Sequence, residues 1–415
     1  MKNLNKLLTP IFLSMAISLT ACNKVDADIE TNTQEPVQST ADVSEVTDLS
    51  SELQELIDFN LIPAMAAVVI QGGEIVAEGV AGVRKYGDIT PVTIDDQFIL
   101  GSCGKAFTAT LIAILVEQGK LDWNTTLAEY FPEMADRMLP RYRDVTLLHL
   151  LSHHAGLPVE KEIPIHYEEY STPPVIEQRY EYTEYHLCIP PGPGIDELPE
   201  PGTSFLYSNV GYVIAGSIAE QATGESWEGL VTSLIFEPLG MTTARFCYNQ
   251  GKGDNGGQPW QHTIDDSDPL TPVPIEYSYE MFPMVVGPAG MIQMSVRDWA
   301  KFVIMHTEGE DGGSDLLKPE TFKFLHTPPF GTNNTLGTVY ALGWYSINDP
   351  AVSTEPIYHH AGIAHGCNYA VVWMSAESNC AALSTINTVS DGALVTVRGY
   401  SAGLFKKALK GDIFQ

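Results

Sequence analysis

Positive charge is scarce in this sequence. Only 22 lysines and arginines stand against 52 aspartates and glutamates, and the 415-residue chain carries a formal charge of −30. A nucleic-acid partner needs a basic face, so this balance argues against one. It also disfavours electrostatic docking on anionic lipid. Its plain meaning is a solvated acidic surface. Cysteine is sparse as well: Cys22, Cys103, Cys188, Cys247, Cys367 and Cys380. No two of them form a Cys-x-x-Cys pair, so zinc-type spacing is missing. With Cys22 set aside the rest are odd in number, which leaves at least one thiol free. Cys103 is the expected free one, because it abuts the residue read below as a nucleophile. No apolar run reaches the roughly 20 residues of a spanning helix; the best, Leu7 to Leu19, is shorter. There is no internal repeat, and no cofactor or metal is expected.

What is present begins with an export signal. Lys2 and Lys6 make a basic start and Leu7 to Leu19 an apolar centre over residues 1–21. The run Leu19-Thr20-Ala21-Cys22 closes it and is similar to a bacterial lipobox. That resemblance implies lipidation of Cys22 and a lipid anchor as the only membrane contact. Asn23, rather than an aspartate, points to the periplasmic face of the outer membrane. Residues 22–48 are poor in large apolar side chains and read as a disordered tether. Residues 49–415 read as one catalytic body.

Within that body Ser51 to Phe59 has helical spacing, with Leu53, Leu56 and Ile57 on one face. Ala64 to Ile70 and Glu74 to Val83 read as strands joined at Gly72-Gly73. Ala106 to Val116 is small and apolar on every side, the pattern of a buried helix. About 121–285 reads as mostly helix and loop. Residues 160–200, rich in proline, glutamate and tyrosine (Tyr167, Tyr170, Tyr180, Tyr182, Tyr185), read as a long loop rimming a cleft. Pro288 to Ser295, Leu342 to Ile347, Asn368 to Trp373 and Ala381 to Ile386 read as strands; Val296 to Thr307 and Gly392 to Leu409 read as helices. Strands at both ends with helices between predict an α+β fold: an antiparallel sheet built from N- and C-terminal segments, flanked by helices, with a helical insertion.

Three short stretches carry chemistry. Gly101-Ser102-Cys103-Gly104-Lys105 places a serine at the start of the buried helix and a lysine one turn on. A serine hydroxyl is a weak nucleophile until a neighbour takes its proton, and a desolvated lysine can do so. Tyr207-Ser208-Asn209 opens a second apolar helix, Val210 to Glu220. Tyr207 could relay a proton if cations depress its pKa, and Asn209 offers both donor and acceptor groups. His359-His360-Ala361-Gly362-Ile363 sits just before a predicted strand, where Gly362 would let the backbone approach a ligand. A metal reading of His153-His154 fails on geometry, since adjacent helical positions point about 100° apart. A structural role is expected for that pair.

Taken in order, Ser102-x-x-Lys105, Tyr207-x-Asn209 and His360-x-Gly362 resemble the serine β-lactamase-like superfamily. The likeness is to its branch of class C β-lactamases and D-alanyl-D-alanine carboxypeptidases, which also holds esterases and D-aminopeptidases. His149-Leu150-Leu151-Ser152-His153-His154-Ala155-Gly156-Leu157, Pro201 to Asn209, and Gly287-Pro288-Ala289-Gly290 look like further family segments. The resemblance implies Ser102 as the acylated nucleophile, with Lys105 and Tyr207 sharing general-base and general-acid duty. Asn209 would hold the substrate's carbonyl side, and the N–H groups of Ser102 and Ile363 would form an oxyanion hole. His360 would face a substrate carboxylate or support Tyr207. Relatives with strong lactamase activity keep Lys-Thr-Gly where this chain has His360-Ala361-Gly362, so the resemblance leans to a peptidase or esterase. The expected activity is hydrolysis, through an acyl-enzyme, of an ester or D-amino-acid amide or peptide in the cell envelope. A β-lactamase, or a non-catalytic penicillin- or peptidoglycan-binding lipoprotein, are the alternatives.

Overall fold

A strand buried along all but its last residue explains the architecture. In β2 (Ala64–Gln71), Ala64, Ala66, Val68 and Ile70 enter one apolar core while Met65, Ala67 and Val69 enter another. A strand apolar on both faces must lie inside a sheet covered on both sides. The computed structural model describes residues 46–159, 174–190, 198–247, 257–265, 268–275, 283–331, 338–348, 353–364 and 366–412.

Beside β2 runs β3 (Glu74–Gly82) and, beyond it, β1 (Thr47–Asp48). The C-terminal part supplies β9 (Thr338–Tyr340), β10 (Tyr345–Ile347), β11 (Ile357–Ile363), β12 (Tyr369–Ser375) and β13 (Cys380–Ile386). Together they form one sheet in the order β1-β3-β2-β13-β12-β11-β10-β9. Every neighbouring pair is antiparallel except β1 against β3, which is parallel. The join between the chain's two ends is β2 against β13, reinforced where Ala64 N–H donates to Asn387 Oδ1 at 2.9 Å. A small second sheet unites β4 (Phe98–Ile99), β8 (Ile292–Met294) and β5 (Arg245–Phe246), and a hairpin pairs β6 (Gln261–Asp265) with β7 (Asp268–Ile275).

Two helices, α1 (Ser50–Asn60) and, at the far end of the chain, α9 (Asp391–Leu409), cover one face of the main sheet through Leu53, Ile57, Val397, Leu404 and Phe405. The other face packs on the helical body. Its centre is α2 (Lys105–Glu117), every residue of which from Lys105 to Leu115 is buried. Around it stand α3 (Leu147–Leu151), α4 (Val175–Cys188), α5 (Asn209–Thr223), α6 (Trp227–Val231), α7 (Val296–Gly309) and α8 (Pro319–His326). Phe107 of α2 stacks on Phe302 of α7 with ring centroids 3.6 Å apart. The expected α+β arrangement is what the chain adopts.

Four local readings change, the first being Leu342 to Ile347, of which only Tyr345–Ile347 is strand. The 160–200 stretch is not a continuous loop, because Val175–Cys188 is helical, with Tyr180, Tyr182 and Tyr185 on that helix; Tyr167 and Tyr170 lie outside the described residues. Gln178, Arg179, Tyr182, Thr183, His186 and Leu187 are buried along it, a spacing that many polar residues hid from the pattern. Pro288 does not begin a strand: Gly287–Gly290 forms one helical turn and the strand starts at Ile292. His359 to Ile363 is not a lead-in to a strand but the last five of the seven residues of β11.

Candidate active site

Ser102 lies in a 3-10 turn, Gly101–Gly104, that feeds directly into α2 at Lys105. Gly101 has φ +52°, a left-handed conformation that side chains rarely adopt. The turn is wedged against the end of β11. A Cβ at Gly362 would fall 2.0 Å from the Leu100 carbonyl oxygen and 2.6 Å from the Ser102 nitrogen. Only glycine permits so close an approach of strand to turn. Asn368 ties the same junction from the side, donating to the Ile99 carbonyl at 2.7 Å and accepting from Ala364 N–H at 2.9 Å.

Lys105 is completely buried, and its Nζ reaches three oxygens: Ser102 Oγ at 3.1 Å, Asn209 Oδ1 at 2.7 Å and the Ala289 carbonyl at 2.7 Å. α5 delivers Asn209 as its first residue, with Ser208 as the cap whose hydroxyl accepts from Gly211 N–H. The Gly287–Gly290 turn delivers the Ala289 carbonyl, and Thr108 of α2 pins that turn by donating to the Pro288 carbonyl at 2.7 Å. Ser102 itself is half-buried, open enough to meet a substrate.

Tyr207 stands over this group, with Lys105 Nζ 5.0 Å from its ring centroid. Burial pushes its phenol well above the ordinary tyrosine range, Tyr345 adds to the rise, and a hydrogen bond with the Ser102 side chain works the other way. Burial is the largest influence on this phenol and favours its neutral form. Cys103, next to the serine, is likewise no thiolate. Burial pushes its thiol up despite the charge of Lys105. The five described cysteines are all unpaired.

His360 points to the same side as Gly362, as alternate residues of one strand must. It is 1% exposed. Its Nδ1 lies 2.8 Å from the Ala361 carbonyl, which requires a proton on Nδ1, so Nε2 accepts from the Tyr340 hydroxyl at 3.0 Å. Both ring nitrogens are thus occupied. Burial first, and then the charge of Lys105, lower its pKa to about 3. A histidine charged near neutral pH and facing a substrate carboxylate is not what stands here. His359 turns to the opposite face, where it stacks on Trp373. Among the described residues no group of three His, Cys, Asp or Glu side chains could hold a metal.

The profile of the beta-lactamase family matches residues 51–402. The chain belongs to that family. Among relatives of this beta-lactamase family member, penicillin-binding protein 4 of Amycolatopsis lactamdurans is 27% identical over 312 residues, covering 74% of this chain and 76% of that protein. The unguisins hydrolase ungD' of Aspergillus campestris is 25% identical over 332 residues, 76% of this chain but only 57% of its own length. The D-amino acid amidase of Ochrobactrum anthropi SV3, solved with L-phenylalanine amide, superposes with a TM-score of 0.66 at 21% identity, covering 87% of this chain and 98% of the other. The chain is a serine hydrolase of this family.

Of the residues singled out from sequence, the fold gathers Ser102, Lys105, Tyr207 and Asn209 into one hydrogen-bonded cluster, and brings Gly362 and Ile363 against the serine turn. Cys22 lies outside the described residues. Two participants went unmarked. The Ala289 carbonyl is a backbone group, so no residue type could signal it. Tyr340, the partner of His360, sits on a three-residue strand with no motif around it.

Proposed function

We propose that this protein hydrolyses an ester or a D-amino-acid amide through an acyl-enzyme on Ser102. The observation that carries the reading is the environment of Lys105 Nζ. A neutral amine has two N–H donors and one lone pair. As an ammonium Lys105 donates to Ser102 Oγ and to the carbonyl oxygens of Asn209 and Ala289; once it gives up one proton, two donors stay on those carbonyl oxygens and the lone pair faces Ser102 Oγ. In this reading Lys105 takes the Ser102 proton as Oγ attacks the substrate carbonyl. The N–H groups of Ser102 and Ile363 receive the oxyanion. Tyr207, neutral and hydrogen-bonded to Ser102, passes the proton to the departing alcohol or amine, and water then releases the acyl group. Asn209 holds Lys105 and borders the substrate's carbonyl side.

His360 favours a substrate without a carboxylate at that position. A neutral imidazole already committed to Tyr340 and the Ala361 carbonyl offers no cation to pair with one. This sets esters and amides ahead of β-lactams and D-alanyl-D-alanine peptides. We place the enzyme in the cell envelope, tethered through Cys22. Cys22→Ser should move it to the soluble fraction with specific activity unchanged, and a mutant still in the membrane fraction removes the anchor.

The test is one panel on the protein: a chromogenic ester, a D-amino-acid anilide, a chromogenic cephalosporin and a D-alanyl-D-alanine peptide. Turnover of the first two should exceed that of the last two, and Ser102→Ala should abolish both turnover and fluorophosphonate labelling without lowering Tm. Preferential cleavage of the cephalosporin or the peptide would reverse the substrate order. Labelling that survives Ser102→Ala would remove the nucleophile.

A further inference from the structure

His153 has no part in the proton transfers above, yet it is among the most constrained residues in the protein. It is 1% exposed and holds φ +62°, one of three non-glycine residues with positive φ among those described. That conformation is uncommon for an L-residue, so something must hold it there.

What holds it is the segment carrying Tyr207. The chain from Gly202 to Asn209 docks on residues 153–159 through a series of bonds. Gly202 N–H donates to the His154 carbonyl at 2.8 Å, and Asn209 N–H to the Val159 carbonyl at 3.0 Å. The Ser208 hydroxyl donates to the Pro158 carbonyl at 2.7 Å. The two peptide N–H groups that bracket Tyr207 both go to His153. Leu206 N–H donates to its carbonyl oxygen at 2.8 Å, and Ser208 N–H to its ring Nδ1 at 3.0 Å. Between those two bonds the imidazole lies against the Tyr207 ring with centroids 4.2 Å apart, and Tyr340 closes on it at 4.5 Å. One residue thus fixes the backbone on either side of the tyrosine and supports its ring.

We propose that His153 is the positioning residue for Tyr207, setting where the phenol oxygen stands relative to Ser102 and Lys105. This rests on the proton-transfer role given to Tyr207 above. An aliphatic side chain would fill the same space but leave the buried Ser208 N–H without its acceptor. The ring must also remain neutral, because a second ring proton would set two donors face to face at Ser208. Burial, and then the charge of Lys105, keep it so, holding its pKa well below the ordinary histidine value. His153 Nε2, which carries the proton of this tautomer, has no hydrogen-bond partner among the described residues. The ring's polar commitment is therefore the bond to Ser208.

The test separates backbone, acceptor and ring. His153→Gly tolerates the positive φ but removes both acceptor and ring; His153→Asn tolerates it too and returns an acceptor oxygen close to the position of Nδ1. On a chromogenic ester, His153→Gly should lower kcat at least tenfold with KM within about twofold, and His153→Asn should recover most of the loss. In a Tyr207→Phe background His153→Gly should cost little more, because both changes remove the same proton transfer. Wild-type kcat in a folded His153→Gly protein, His153→Asn as impaired as His153→Gly, or losses that multiply in the double variant would each overturn the assignment. Tyr207→Phe with unchanged kcat would instead remove the role of Tyr207. If His153→Gly does not fold, amide hydrogen exchange in the wild type decides: Leu206 and Ser208 should exchange slowly and together, and rapid exchange at Ser208 alone would overturn the clamp.

Discussion

At the scale of single residues, the site's chemistry turns on what burial does to ionisable groups. Desolvation lifts Tyr207 and lowers His360 to about 3, so each is neutral throughout the working range. His360 sets a specific expectation. For a matched pair of substrates, one bearing a carboxylate and one neutral, the ratio of KM values should stay constant from pH 5.5 to 8, since the imidazole does not titrate there. A ratio that moves with an apparent pKa near 6.5 would show a charged His360. Lys105→Ala and Tyr207→Phe should each lower kcat by about 10²-fold or more, the usual contribution of a placed proton-transfer group; single-turnover kinetics on the ester would measure both. The identities of Ser102, Lys105, Tyr207 and Asn209 were legible in the sequence because chemistry restricts residue type at each. Their protonation states were not, because these depend on depth and on neighbours such as Tyr345 and Tyr340 that come from distant parts of the chain.

At the scale of elements, α2 and β11 do opposite jobs at one point. α2 brings Lys105 under the serine, and β11 presses Gly362 against the serine's own backbone. Gly362→Ala would push its methyl into the Leu100 carbonyl and the Ser102 nitrogen, neither of which is a movable side-chain end. It should cost at least about 2 kcal/mol of stability and most of kcat. Gly399→Ala, on α9 with open space around it, should instead stabilise by about 0.5–1 kcal/mol through helix propensity alone. Urea unfolding of the two variants checks both signs. Helices with continuous apolar patterns, such as α2 and α5, were readable from sequence. β11 was not, because its Tyr358-His359-His360 run breaks the apolar alternation: His360 turns polar chemistry toward the site on a buried strand, and His359 is covered by Trp373 and Tyr345. The helical part of the 160–200 stretch was masked in the same way by Arg179, whose guanidinium is buried between Glu220 and Glu228.

At the scale of the whole molecule, buried neutral histidines make stability depend on pH. Burial lowers His262 to about 4, and it also lowers His306 and His359. A histidine whose pKa is lower folded than unfolded leaves the unfolded chain to take up protons first, so its contribution is complete above about pH 6.5 and lost as pH falls toward 4. His262 alone should cost about 2 kcal/mol between pH 7.5 and 5. Relief of self-repulsion in a chain of charge −30 acts in the other direction, but most carboxylates stay ionised above pH 5, so the histidines prevail. Urea unfolding at the two pH values measures the difference, and equal stabilities would refute it. The α+β class was legible because strand patterns cluster at the two ends of the sequence; which end strands are neighbours was not, since pairing leaves no local mark. That pairing governs how the enzyme comes into being. β2 emerges early in synthesis, yet its partner β13 and the Asn387 that meets Ala64 come 323 positions later for that pair. Until then β2 keeps an apolar edge with nothing to pair with, open to other chains. Closing so long a loop makes assembly slow. The turn carrying Ser102 abuts β11, on the same late side, so a nascent or truncated chain has its nucleophile long before it has a site to use it in.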